Sequence, residues 1–291
     1  MKSAPFEIVD AQIHQPSPPL PVDEALDEAT RLLINVEIAR EAMDATGVDA
    51  ALVVSAAPYI NACVSRYPDR FAGVETFAAT GADLALAVER ARRDPQLVAG
   101  RLLVTDFRTT ELSANFASGG MDAGFAAAEA VGLPLFLSTH GQTAAMRTVI
   151  ERHPELTIII DHVGVSQHPV SPPRDDPWDR LDDLLTLAEY GHVHVKLCGL
   201  PLLSAEAYPF ADVWPQLDRV IAAFGPERLA WASDYTRLRM AEAGGPTRNR
   251  GCLYSESRDM LLHSDRLDDA AKAMIFGGTI RHILGWERPR A

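Results

Sequence analysis

Residues 132–162, GLPLFLSTHGQTAAMRTVIERHPELTIIIDH, hold one strand–helix–strand unit. Gly132-Leu133-Pro134 leads into an apolar run, Leu135 to Ser138. Thr143 to Arg152 then reads as a helix, and Thr157 to Asp161 is a second apolar run. Short runs without polar alternation suit strands buried on both faces of a parallel sheet. Each run ends in a polar pair, Thr139-His140 and Asp161-His162. The unit therefore sets histidines at the C-terminal ends of its strands.

The same alternation extends both ways. Toward the N-terminus, Phe6 to Asp10 reads as strand one, followed by a Pro-rich loop from Gln15 to Pro21. A helix runs from Asp23 to Thr46, with Leu26, Leu33, Val36, Ala39 and Met43 at helical spacing. Asp23 is its expected cap and Gly47 its stop. Strands two, three and four are Ala50 to Val54, Phe71 to Phe77 and Arg101 to Thr105, with helices at Asp83 to Arg93 and Ala123 to Val131. Toward the C-terminus come a Pro-rich loop (His168 to Pro177), a helix from Trp178 to Tyr190, strand seven (Val193 to Leu197), a helix from Ala211 to Phe224 and strand eight (Leu229 to Asp234). Gly251 to Leu284 reads as helical. Right-handed crossovers make such a chain a closed barrel or a doubly wound open sheet, and eight units favour a single (β/α)8 TIM barrel. No G-x-G-x-x-G follows strand one, which disfavours a dinucleotide-binding open sheet. No linker-like shift in composition appears, so residues 1–291 read as one barrel domain with helices at about 251–285 packed on it.

A net charge of −13, from 27 basic and 40 acidic residues, excludes nucleic acid as the expected partner. It leaves a small anionic molecule open, because a pocket has its own local field. Cys63, Cys198 and Cys252 are odd in number and widely spaced, so they read as buried apolar residues rather than a disulfide or zinc-finger framework. No apolar N-terminal leader and no span of about 18 apolar residues is evident. The expected location is cytoplasmic, without membrane contact; a homo-oligomer is left open.

In a barrel of this kind, chemistry collects at the C-terminal strand ends. His14 follows strand one, His140 strand five and His162 strand six, and Asp234 closes strand eight. The remaining histidines, His153, His168, His192, His194, His263 and His282, read as surface or packing residues. Three imidazoles and a carboxylate converging on one mouth read as an active site. Tyr59, Asn61 and Tyr235 are candidate pocket-lining residues. Arg108, Lys196 and Arg237 are candidates for holding a substrate carboxylate, Arg by bidentate pairing and Lys as a point charge.

Five segments carry a resemblance that covers nearly the whole chain: Ile8-Val9-Asp10-Ala11-Gln12-Ile13-His14, Thr139-His140-Gly141, Ile160-Asp161-His162-Val163-Gly164, Val195-Lys196-Leu197-Cys198-Gly199-Leu200 and Trp231-Ala232-Ser233-Asp234. In order and spacing they resemble the amidohydrolase superfamily, in the amidohydrolase-related branch that holds lactonases for pyrone dicarboxylates and sugars, and decarboxylases. Gly277 to Trp286 is similar to that family's closing helix. The family opens with His-x-His; here the first position is Gln12, a neutral amide and a poorer zinc ligand than imidazole. The resemblance implies a hydrolase that opens a lactone of a small carboxylated or sugar-derived metabolite, with Asp234 as general base. His14, His140 and His162 would polarise the carbonyl, with Gln12 donating to the substrate. A site without metal is favoured. The alternative is one divalent ion, zinc or manganese, held by His14, His140 and Asp234. The competing functions are a metal-dependent non-oxidative decarboxylase on the same scaffold and a barrel that binds without turnover.

Overall fold

The computed structural model describes residues 4–16, 25–78, 80–105, 110–167, 175–236 and 252–287. Eight parallel strands lie side by side in chain order: β1 (Val9–Ile13), β2 (Ala50–Ser55), β3 (Phe71–Thr76), β4 (Leu97–Leu103), β5 (Leu135–Ser138), β6 (Ile158–Ile160), β7 (Val193–Cys198) and β8 (Leu229–Ala232). A bridge from Ile13 to Tyr235 brings the last strand back to the first. Backbone bonds from His14 N to Tyr235 O (3.0 Å) and from Asp234 N to Gln12 O (3.1 Å) reinforce that closure. The chain is a (β/α)8 barrel.

Helices cover the outside: α1 (Glu28–Thr46), α2 (Ala57–Arg66), α3 (Gly81–Arg93), α4 (Glu111–Ala117), α5 (Asp122–Val131), α6 (Arg147–Arg152), α7 (Leu181–Leu185), α8 (Trp214–Phe224), α9 (Tyr254–Leu262), α10 (Asp269–Ala273) and α11 (Thr279–Leu284). The cap of α1 is Asp27, whose carboxylate accepts from Thr30 N at 2.9 Å. The expected cap Asp23 lies outside the described residues, as do His168 and parts of the loops after strands one and six. Gly47 ends α1 with φ +66°, a conformation that costs an L side chain about 1–2 kcal/mol. Helix α2, which carries the candidate pocket residues Tyr59 and Asn61, is not among the elements expected from sequence. Yet Tyr59, Ile60, Cys63 and Val64 recur at helical spacing and are the buried positions of α2.

Two apolar layers follow from the strand alternation. Leu52, Phe136, Ile159 and Ala230 fill the barrel, while Val53, Leu137, Ile158 and Leu229 pack beneath the helices. Ile280 and Trp286 join the inner layer with Val9 and Ala50, the first residues of their strands, so the C-terminal helix floors the barrel at its N-terminal end. The Arg281 guanidinium stacks over Trp286 at 3.7 Å and pairs with Glu7 at 2.8 Å, holding that floor in place. The opposite end is left for the site.

Candidate active site at the C-terminal mouth

An irregularity in β1 decides which side chains enter the barrel. Asp10 pairs with Ala51 but Ile13 pairs with Val53, so β1 takes three steps where β2 takes two. One inserted residue flips every later side chain to the other face. Asp10, ahead of the insertion, points outward by ordinary alternation, accepting from Ser233 N (2.9 Å), Ser233 Oγ and Tyr254 Oη (2.7 Å). Gln12 and His14 turn inward.

Gln12 becomes the hub of the mouth. Its Nε2 donates to Asp234 Oδ1 at 2.8 Å and lies 3.2 Å from His14 Nε2 and 3.5 Å from His162 Nε2. Its Oε1 accepts a short hydrogen bond from Lys196 Nζ. The amide orientation is fixed by chemistry: an ammonium only donates and a carboxylate only accepts, so the flipped amide would lose both bonds. His14 is fixed as well. Its Nδ1 lies 2.6 Å from Val54 O, a pure acceptor, so Nδ1 carries a hydrogen. Its Nε2 lies 2.9 Å from Asp234 Oδ1.

Behind Gln12 runs a buried line of alternating charge. Lys196 is fully buried, sits 4.0 Å from the Phe136 ring centroid and pairs with Asp161 Oδ1 at 2.8 Å. Arg101 Nε donates to Asp161 Oδ2 at 2.7 Å. Burial pushes the Asp161 carboxyl up, but the Lys196 and Arg101 charges outweigh it and hold it well below the usual carboxylate range. Asp234 behaves alike. Burial opposes its charge, and the hydrogen bonds to His14 and Gln12 outweigh it, so it stays ionised. Burial moves His162 the other way, lowering its pKa against the pull of Asp234 and Asp161, which favours a neutral ring.

Three polar strand-end residues hold left-handed backbone conformations: His140 (φ +42°), His162 (φ +55°) and Asp234 (φ +60°). Residues of this kind cost about 1–3 kcal/mol each and gather at functional sites. The turn at His162 continues through Val163 and Gly164, where a Cβ on Gly164 would meet Thr143 Oγ1 at 2.7 Å.

The mouth thus brings together Gln12, His14, His162 and Asp234. The His140 Nε2 lies 3.0 Å from Ser138 Oγ at the end of β5. Ligating atoms of His162, Cys198 and Asp234 lie within 4.8 Å of one another, a grouping that differs from the expected His14, His140 and Asp234. Cys198, which reads in sequence as a buried apolar residue, stands inside the site because it ends β7 on the inner face. Arg101 escapes the sequence reading because β4 begins at Leu97, which places Arg101 inside the strand instead of at its start. The alternation of β4 was the signal that could have placed it.

Several expected pocket residues serve other contacts. Lys196 spends its ammonium on Asp161 and Gln12, not on an open substrate site. Tyr59 is fully buried in α2, with its hydroxyl donating to Asn35 O at 3.2 Å. Asn61 is exposed on α2. Tyr235 stacks on Tyr254 with centroids 4.6 Å apart. Arg108 and Arg237 lie outside the described residues. A cavity of about 680 Å³ opens beside Phe6, Asp49, Arg258 and His263, near the start of β1, and contains none of the mouth residues.

A closed parallel barrel with imidazoles and a carboxylate at its C-terminal mouth is a (β/α)8 protein built around a mouth site. The chain belongs to the amidohydrolase family, whose model matches residues 9–286. It is 31% identical over 156 residues to an L-fucono-1,5-lactonase from Burkholderia ambifaria, covering 53% of this chain and 50% of that one. The chain so matched spans about half the length of that curated relative. Its fold is similar to that of an amidohydrolase from Burkholderia multivorans, solved with HEPES (TM-score 0.71, 20% identity, 96% of this chain and 99% of that one) and with zinc (TM-score 0.69, 21% identity, the same coverage). It is also similar in fold to a candidate 2-pyrone-4,6-dicarboxylic acid hydrolase from Pseudomonas putida (TM-score 0.67, 17% identity, 97% and 98% coverage). Among the described residues, no helix is long and apolar enough to cross a membrane.

Proposed function

We propose that this protein hydrolyses a lactone, with Asp234 as general base. The observation that carries the reading is the Asp234 carboxylate, ionised at the mouth with Gln12 and His14 both bonded to Oδ1. The lactonase relative supports the substrate class. With Oδ1 engaged, Oδ2 is the oxygen assigned to draw a proton from water as the hydroxyl attacks the carbonyl. His162, kept neutral by burial, has a buried Nδ1 with no hydrogen-bond partner among the described residues. We assign it, with His140, to stabilise the developing oxyanion, and His14, whose two ring nitrogens face Val54 O and Asp234 Oδ1, to hold Asp234 in place. The ring C–O bond then breaks. The proton held on Asp234 passes to the departing alkoxide, giving a hydroxy acid.

Zinc is bound in the Burkholderia multivorans neighbour, and Cys, His and Asp are ligands that zinc accepts. We read the donor set here as a poor fit for an ion. The N–H face of Gln12 already fills the space between Asp234 Oδ1 and His162 Nε2, with the Lys196 ammonium behind it. Burial also pushes the Cys198 thiol well above its ordinary range, against the thiolate a metal needs. No step here runs through a metal. The three cysteines are buried and unpaired, which suits a reducing compartment, and we place the protein in the cytoplasm.

The test is hydrolysis of a panel of sugar and dicarboxylate lactones by the wild type and by Asp234→Asn. The expected result is turnover of at least one lactone and a fall of about 10²–10⁴-fold in the variant, with the circular dichroism unchanged. Undiminished turnover in folded Asp234→Asn would sink the assignment.

A further inference from the structure

The Gln12 amide nitrogen has three neighbours of a kind that normally surrounds a cation: a carboxylate oxygen at 2.8 Å and imidazole nitrogens at 3.2 and 3.5 Å. Its carbonyl end is held by an ammonium that is itself buried and paired with Asp161. The clamp fixes the amide orientation and polarises it, so its N–H end presents partial positive charge toward Asp234. An ion entering between Asp234 and His162 would have to displace the Gln12–Asp234 hydrogen bond and face the Lys196 charge through one amide. We propose that the side-chain amide of Gln12, clamped by Lys196, stands in for a divalent cation, excluding one from Asp234, His14 and His162, and that Gln12→His admits one. The inference deepens the hydrolytic reading above and rests on the same site.

The consequence is a division of labour. Gln12 is a positioning residue: it holds Asp234 through Oδ1 and keeps that carboxylate ionised, without contributing a lone pair. Lys196 acts one step further back, since replacing it frees the amide to rotate. A histidine at position 12 would bring a lone pair in place of an N–H, beside His14 two residues on, and remove the hydrogens that block the ion.

The test is isothermal titration of zinc into the chelator-dialysed full-length protein, which reads metal binding independently of turnover. The expected result is no stoichiometric binding by the wild type and about one ion per chain for Gln12→His. One zinc per wild-type chain would overturn the proposal. A cobalt complex of the wild type with a thiolate-to-metal absorption band that Cys198→Ser removes would do so as well, placing the ion on the His162, Cys198 and Asp234 group. A folded Gln12→His that binds no zinc would also overturn it, because something other than the amide would then be excluding the ion. Should Gln12→His fail to fold, the wild-type titration still decides: stoichiometric binding refutes the proposal, and its absence supports it. Loss of lactone hydrolysis alone would bear on the hydrolytic reading and leave the metal result intact.

Discussion

Lys196 Nζ and Asp161 Oδ1 lie 2.8 Å apart with neither side chain exposed to solvent. The pair joins β7 to the end of β6 and carries two further partners, Arg101 on the acid and Gln12 on the base. Removing one member of a buried pair strands the other, which typically costs about 3–5 kcal/mol. Lys196→Met should therefore lower the unfolding free energy read from urea denaturation by an amount in that range. Lys196→Met combined with Asp161→Asn should cost clearly less than the two single changes added together. Additive losses in the denaturation series would show that the two side chains do not act as a unit.

Asp10 behaves oppositely to the other buried acids. Burial raises its pKa from 3.8 to about 6, with hydrogen bonds from Ser233, Tyr254 and Gln12 only partly opposing the rise. The folded protein thus holds this proton more tightly than the unfolded chain does. The stability Asp10 contributes is full below about pH 4 and is lost as the pH rises through about 6, roughly 3 kcal/mol in all. Asp161 and Asp234, whose pKa values are depressed, contribute stability that is present above pH 4 and lost as the pH falls. Asp10→Asn should flatten the stability profile between pH 4 and 6 and leave the acid limb in place. Chemical denaturation across that range checks it, and an unchanged slope would contradict it.

Gly164 closes the left-handed turn that carries His162. At φ +69°, with Thr143 Oγ1 2.7 Å from where a Cβ would sit and donating to the Gly164 carbonyl, alanine meets both strain and a clash. Gly164→Ala should cost at least about 1–2 kcal/mol. Because the displacement falls beside His162, it should depress kcat more than KM. A thermal melt and steady-state kinetics read the two effects, and a neutral variant would refute the strain argument.

Trp286 lies on the barrel floor, at the far end of the strands from Asp234. Trp286→Ala opens a cavity against Val9 and Ala50 and removes the ring under Arg281. The expected loss is about 3–5 kcal/mol with catalytic constants nearly unchanged. Calorimetric melting together with lactone kinetics separates these outcomes, and a large kcat change in the folded variant would show that the floor and the mouth are coupled.

The sequence by itself determined the barrel and the residue types at its mouth. Strands buried on both faces must be apolar runs, and helices must repeat at 3.6, so the alternation is written in local burial. That logic reached His14, His140, His162 and Asp234, because polar residues that end such runs stand out. It also left a helical stripe in Ala57–Arg66 that a stricter reading of periodicity would have caught. Tertiary structure alone decided the rest. The inserted residue between Asp10 and Ile13 has no signature in composition, yet it turns Gln12 inward, to the face opposite Asp10. The partners of Lys196, Gln12 184 positions away and Asp161 just past the end of the neighbouring strand, were fixed only when the strands closed into a barrel. Local patterns report how deeply a residue is buried; which charge it meets there depends on strand register, and register is a property of the assembled sheet.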